Sequence, residues 1–412
     1  MNIKYSKFVL KSLLLILSGG MIFTACQENK AVPTMDEYET FKINYGNFED
    51  ELNLFDMAEI GEIPAGTYMR DGFFYISNTE SKKVMGFNSY GDLLTLYFND
   101  ETNPRPSFFD DDFAAVSTRK AVAYPFNQIS EIAVDSRKYI YVADKISVDR
   151  QEVNDDDGTI YSQMVLRFDS NGRYTGYLGQ QGFGGTPFPF IKKLYTTTNK
   201  ELVVLCETAS GSQVFWFTED GNLVKKINLE EVFDYNIYQP KTAVNDMWQA
   251  IQGAVPDPSQ RKLYVMVDVV ISSADETNGV HAGINYLESY LFTIDIESGV
   301  TEKGIQIPSY QDSVFTSYAT QNTSIPYQLL GITDSGWIFF LVSAEKGFGL
   351  LMMESDGQRT LRRTINMDRK DSLFYNFCLG NSGILSMLNA KENYAEICWW
   401  RTDSIIQSVL QN

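Results

Sequence analysis

One turn recurs along this chain. Asn88-Ser-Tyr-Gly91, Asp169-Ser-Asn-Gly172, Thr218-Glu-Asp-Gly221, Ile296-Glu-Ser-Gly299 and Glu354-Ser-Asp-Gly357 each end on glycine. Each follows a β-rich run, at 84–87, 164–168, 214–217, 290–294 and 350–353. A tight β-turn needs a residue at positive φ, and glycine adopts it without steric penalty. A second hairpin lies upstream of each. The cleanest is Ile129-Ser-Glu-Ile-Ala-Val134, a turn at 135–138, then Tyr139-Ile-Tyr-Val-Ala143. Its counterparts pair 67–69 with 73–76, 193–197 with 201–205, 250–254 with 262–267, 329–332 with 337–342 and 374–379 with 383–388. Long apolar segments of period 3.6 are missing, so helices cannot dominate.

Two hairpins make a four-stranded unit, and the chain holds six. A lone four-stranded sheet cannot bury both faces; a ring of them can. The expected fold is therefore all-β, a six-bladed β-propeller of four-stranded antiparallel blades. The sixth unit is expected to continue with strands at 396–400 and 404–410. Glu39-Thr-Phe-Lys-Ile-Asn-Tyr45 is a spare strand with Phe41, Ile43 and Tyr45 at period two, suited to pair with the last blade and close the ring.

The second unit resembles an NHL repeat, from Pro125-Phe126 through Tyr139-Ile-Tyr-Val-Ala-Asp144, then Val165-Leu-Arg-Phe-Asp-Ser-Asn-Gly172 with Leu178-Gly179. The third unit, 187–229, matches more loosely. Over the whole mature length the sequence is similar to an uncharacterised family of bacterial six-bladed NHL-like propeller lipoproteins. That resemblance implies a ring and an anchor, and no catalytic residues.

The anchor has its own signature. Lys4, Lys7 and Lys11 precede Leu13-Leu14-Leu15-Ile16-Leu17, an apolar stretch that continues to Phe23; Thr24-Ala25 then leads to Cys26. This resembles a lipobox, whose cysteine is lipidated and becomes the first residue. Phe23 stands where leucine is common, and Gly19-Gly20 interrupts a run already short for a membrane span. The expected organisation is a signal peptide at 1–25, a lipidated tether at 26–38 and the propeller at 39–412. Gln27 is not the aspartate that retains some lipoproteins in the inner membrane, which favours the outer membrane of the cell envelope.

Formal charge is −19 over the chain. Residues 1–25 hold three lysines and no acid, leaving −22 beyond them. So acidic a surface excludes nucleic acid, whose phosphates require Lys and Arg, and is repelled by anionic lipid. Of four cysteines, Cys206, Cys378 and Cys398 remain if Cys26 is lipidated. They sit in apolar runs without CxxC spacing and read as buried small hydrophobes. The single histidine, His281, leaves Ser-His-Asp, Cys-His and poly-His chemistry without its parts.

In a propeller, loops between the second and third strands of a blade share a face with blade-to-blade links. The long insertions, at 99–124, 145–161, 230–246, 269–288 and 302–326, all map to that face and would build a rim around the axis. It carries Phe108, Phe109, Asp110, Asp111, Asp112 and Phe113, then Asp155, Asp156 and Asp157, with Tyr235, Tyr238, Trp248 and Tyr310 in or beside other insertions. Acids beside aromatics suit a cationic partner. Calcium is the one cofactor worth considering, although 155–158 lacks the alternating ligands and distal glutamate of an EF-hand loop. The plainest alternative is a solvated rim whose aromatics fold back on the ring. The expected function is a non-enzymatic, monomeric binding module for an envelope protein or ligand. A calcium-dependent hydrolase or lactonase with an axial metal, and an envelope assembly scaffold, are the alternatives. Replacing Cys26→Ala is expected to abolish both palmitate-analogue labelling and membrane retention; labelling that survives would refute the anchor.

Overall fold

The computed structural model describes residues 32–35, 38–55, 65–109, 119–233, 247–274, 281–315 and 320–410. Strand β1 (Glu39–Asn44) comes first in the chain but belongs to the last blade. Blade one is β2 (Ala65–Arg70), β3 (Phe73–Asn78), β4 (Lys83–Phe87) and β5 (Leu93–Phe98), with β6 (Lys120–Ala123) laid parallel outside β5. Blade two begins with β7 (Ile129–Val134) and β8 (Ile140–Lys145). After a small hairpin, β9 (Glu152–Val153) and β10 (Ile160–Tyr161), it resumes as β11 (Gln163–Phe168), β12 (Tyr174–Gly179) and a short outer β13 (Gly182–Phe183).

Blade three is β14 (Phe190–Thr196), β15 (Leu202–Thr208), β16 (Gly211–Phe217) and β17 (Leu223–Asn228), followed by the one-turn helix α1 (Leu229–Val232). Blade four is β18 (Met247–Pro256), β19 (Lys262–Ala274), β20 (His281–Asp295) and β21 (Ile305–Ile307). A separate hairpin, β22 (Tyr310–Phe315) and β23 (Thr320–Ile325), leads to blade five: β24 (Gln328–Ile332), β25 (Trp337–Ala344), β26 (Gly347–Glu354) and β27 (Thr360–Asn366). Blade six is β28 (Phe374–Leu379), β29 (Leu385–Ala390) and β30 (Tyr394–Trp400), completed by β1.

The ring closes as the spare strand foretold. β1 runs antiparallel to β30, from Glu39 opposite Trp399 to Asn44 opposite Tyr394. The expected final strand at 404–410 is instead helix α2 (Thr402–Leu410). The outer place in blade six is already taken by β1, so the C-terminal segment has no edge to join. It turns Ile406, with Ile405 partly buried beside it, into the seam between blades five and six. Thr34 and Met35, expected in the tether, also dock on the ring: the Met35 amide donates to Thr364 O at 2.7 Å and its side chain is buried in the same seam. Residues 1–33 form a separate unit, of which only 32–33 are described. Among the described residues no helix is long and apolar enough to cross a membrane.

The turns that announced the fold have the predicted backbone. Gly91, Gly172, Gly221, Gly299 and Gly357 lie at φ of 86°, 84°, 80°, 72° and 74°. Among the described residues the core divides into six apolar clusters, and each straddles two neighbouring blades. Side chains alternate between seams along a strand. In β15, Leu202, Val204 and Cys206 face blade two, whereas Val203 and Leu205 face blade four. Both faces are buried, so the strand reads as a continuous apolar run rather than an alternating one.

Polar staples cross the same seams. Buried Glu201 accepts from Trp216 Nε1 at 2.7 Å within blade three and from Arg261 Nη2 of blade four at 2.7 Å. The three described cysteines are buried and free. Cys378 and Cys398 lie on β28 and β30 with β29 between them, and they face different seams.

Phe41 is the apolar centre of the closure. Its ring stands 5.7 Å from Phe74, 5.6 Å from Phe87 and 6.0 Å from Trp399, joining blade six to blade one. Phe41→Ala is expected to lower the unfolding free energy by about 3–5 kcal/mol, the usual penalty for emptying a buried aromatic site. It should do so in one cooperative transition of the whole ring. A loss below about 1 kcal/mol in denaturant titration would show that closure does not rest on this residue.

Candidate functional site

The topology assigns the faces of the ring. First strands descend from the face of blade-to-blade links, so turns between first and second strands, and between third and fourth, lie on the short-turn face. The insertions at 145–161 and 269–288 join second to third strands and lie on the opposite face, as expected. The insertion at 99–124 departs from that expectation. It starts and ends on the long-insertion face, but β6 runs parallel to β5 and therefore climbs the outer flank from the short-turn end. Lys120, at its foot, donates to Ser170 O in the short turn of blade two.

Two insertions are more ordered than their sequences suggested. The 269–288 segment is a β-hairpin arm in which β19 and β20 continue their pairing as far as Ala274 and His281. Within 302–326, β21 is the short fourth strand of blade four, and 310–325 form the hairpin β22–β23. They were expected as loops because they are long insertions between strands; pairing with the adjacent strand of each hairpin decided otherwise.

The rim candidates separate into groups. Phe108 and Phe109 are half-buried against the seam of blades six and one. Phe109 meets Phe98 edge-on at 5.4 Å, with the Arg105 guanidinium 5.2 Å from its ring, and Arg119 lies 5.6 Å from the Phe108 ring. Asp110, Asp111, Asp112, Phe113, Tyr235 and Tyr238 lie outside the described residues. Asp155, Asp156 and Asp157 are exposed in the turn joining β9 to β10. There Asp157 Oδ1 accepts from the Thr159 amide at 2.9 Å, which holds its pKa below the usual value. Tyr310 packs edge-on to Tyr327 at 6.1 Å, at the seam of blades four and five. Trp248 stands partly exposed where β18 enters the ring. It shares the long-insertion face with exposed Val153 and Ile160 of the small hairpin and Ile284 and Leu287 of the arm.

Asp144 fixes this face in blade two. It is buried at the end of β8, where the 145–161 insertion begins, and accepts from the amides of Asn127 at 3.2 Å and Gln128 at 2.8 Å. One carboxylate thus ties the incoming link to the outgoing insertion. Burial pushes its pKa up to about 6, against the opposing pull of those amides.

The axis presents different chemistry. The six innermost strands, β2, β7, β14, β18, β24 and β28, each pair on one side only, so their free backbone edges face the centre. Their sequences contain a single carboxylate, Glu131. Bulges interrupt β7 between Ile129 and Ile132 and β14 between Ile191 and Lys193, re-aiming the side chains there. Lys193 Nζ lies 2.9 Å from Glu131 Oε2. Burial alone would depress the lysine pKa, but the Glu131 charge overrides it and holds the ammonium above its usual range. Tyr68 OH bonds Thr196 Oγ1 at 2.9 Å, and Arg70 Nη1 reaches Val134 O at 3.2 Å, crossing between blades. Nothing in the repeat pattern marked these residues as a group. Glu131 was visible in a strand, but the bulges that bring it to Lys193 were not.

These inner strands fit calcium poorly. The ion takes six to eight oxygen ligands. Among the described residues no three His, Cys, Asp or Glu side chains gather to hold a metal, and the one axial carboxylate is already neutralised by Lys193.

No protein-family model and no curated protein matches the sequence. Solved structures resemble the fold. A gluconolactonase from Xanthomonas campestris is 12% identical, with 89% of this chain and 96% of that chain covered at a TM-score of 0.39. The β-propeller domain of the trilobed protease from Pyrococcus furiosus is 10% identical, with 82% and 94% covered at 0.39. The calcium-binding protein regucalcin from Agrobacterium tumefaciens is 12% identical, with 82% and 90% covered at 0.34. Likeness at this level says nothing about activity.

The Asp144 environment gives a pH signature. Its folded pKa of about 6 exceeds the ordinary 3.8, so between these values the folded chain holds more of its proton than the unfolded chain. Its contribution to stability must therefore fall as pH rises through that window, and level off above it. Asp144→Asn keeps an acceptor without the titration. Melts of parent and variant from pH 4 to 7 are expected to diverge, the parent losing ground as pH rises; parallel curves would contradict this environment.

Proposed function

We propose that this chain is a lipid-anchored propeller of the cell envelope that binds a protein or other ligand through its long-insertion face. One observation carries the reading: the arm of β19–β20 and the small hairpin β9–β10 rise on one face and display apolar side chains there. Val153, Ile160, Trp248, Ile284 and Leu287 are exposed, Ile284 to 66%. Apolar side chains set among polar neighbours mark interaction surfaces more than scattered ones do, and a tryptophan is the commonest type of anchor. A charge of −22 beyond residue 25 favours a cationic partner by steering, and the acids at 110–112 and 155–157 add to that field. Attachment through Cys26 would hold this acidic body at a surface that its own charge avoids. The calcium-dependent hydrolase reading is supported less well, because the innermost strands supply one carboxylate and pair it with lysine.

Site-specific photocrosslinking in the native envelope tests the binding face. A photoreactive residue at Trp248 or Leu287 is expected to give discrete adducts. The same residue at Tyr90, 87% exposed in a short turn of blade one, is expected to give none. Adducts at Tyr90 alone, or none at Trp248 and Leu287 while the protein stays folded, would remove the long-insertion face as the binding site.

A further inference from the structure

Towards the short-turn end of the axis lies a cavity of about 60 Å³, walled by side chains from blades one, three, four, five and six. Thr67 lines it, is only 5% exposed, and its hydroxyl has no hydrogen-bond partner. A buried hydroxyl without a partner is costly, and native proteins seldom leave one so. Lys193 also lines it, with 27% of its side chain exposed to the channel. An ammonium has three donors, and the Glu131 carboxylate engages one side of it. The lining also includes the apolar side chains of Leu330, Phe377 and Leu379.

A second base, Arg70, stands near this end. Arg70 is 6% exposed, and its nearest carboxylate, Asp71, lies 3.9 Å from Nε and is itself largely solvated. Its Nη1 sits 3.4 Å from Thr196 Oγ1, and Thr196 is part of the cavity wall. Asp334, at the outer mouth, is exposed and bonded to Asn381 at 3.2 Å. Among the described residues the buried bases here are Lys193, paired with Glu131, and Arg70, whose charge is offset by Asp71 and Asp334.

We propose that the axial cavity binds a compact carboxylate of two or three carbons, its oxygens on Lys193 and the Thr67 hydroxyl and its alkyl end against Leu330 and Phe377. The size sets the limit. A water needs roughly 10–15 Å³ of such space, so the cavity holds about four to six non-hydrogen atoms. Acetate and propionate fit; longer chains do not. The anion would satisfy the Thr67 hydroxyl and take up the free ammonium donors. This site is independent of the long-insertion face, so either can fail alone.

The full-length protein would be titrated with sodium acetate, propionate and hexanoate at constant ionic strength, read by calorimetry and thermal melting. Acetate and propionate are expected to bind saturably, with dissociation constants on the order of millimolar, and to raise the melting temperature; hexanoate is expected to do neither. Thr67→Val removes the unpartnered hydroxyl with little change of shape. It should fold at least as well as the parent and weaken propionate about fivefold, the worth of one hydrogen bond. Lys193→Met alone would strand Glu131, so the paired variant Lys193→Met with Glu131→Gln is used; it should lose binding while still folding. No saturable binding of either short carboxylate would overturn the proposal and leave the cavity to water. So would binding that neither variant alters, or hexanoate binding as well as propionate.

Discussion

The antiparallel pairing of β1 with β30 is the contact on which the rest of the ring depends. It joins residues at opposite ends of the chain, and Tyr45 OH reaches across 346 positions to bond Lys391 O at 2.6 Å. Without it the third strand of blade six would present an open edge, and the seam to blade one would lose Phe41 and Ile43. Each blade buries its faces only against two neighbours, so one opened seam leaves two blades half-covered. The cooperativity of the domain follows from that circular dependence more than from any single core.

The same two-sided burial governs composition. A strand packed on both faces has no solvent side to code for, which is why β15 reads Leu202-Val-Val-Leu-Cys206 and not as an alternating pattern. Buried polar groups sit at seam staples such as Glu201–Arg261, at strand ends such as Asp144, and at the axis. Centre and rim thus differ in kind. The rim presents extended β-structure and exposed apolar side chains, whereas the axis holds a few buried charges and room for very few atoms.

The glycine turns made the fold legible, because a positive φ on a two-residue turn is a local demand written into a single residue type. Gly91, Gly172, Gly221, Gly299 and Gly357 all meet it. The closure strand was legible too, through the period-two spacing of Phe41 and Ile43. The segment 404–410 was misread as a strand because short apolar periodicity there fits either structure, and only the occupied edge of blade six excluded a strand. The candidate site was legible in outline only. Loop length told which segments would rise from the ring, but it could not show that 269–288 is a paired arm, or that β6 climbs the flank from the short-turn end.

By itself, then, the sequence determined the repeated unit, the number of blades, the way the ring closes and the acidity of the surface. These depend on local turn geometry, on short-period hydrophobicity and on a count of charges, all of which are readable within a few residues. Only the tertiary structure decided that Lys193 meets Glu131, that Thr67 is left without a partner and that Arg70 lies buried beside them. Those residues are far apart in the chain and are brought together by bulges and by the convergence of inner strands on one axis. No local pattern records such a meeting, because it exists only once the ring has closed.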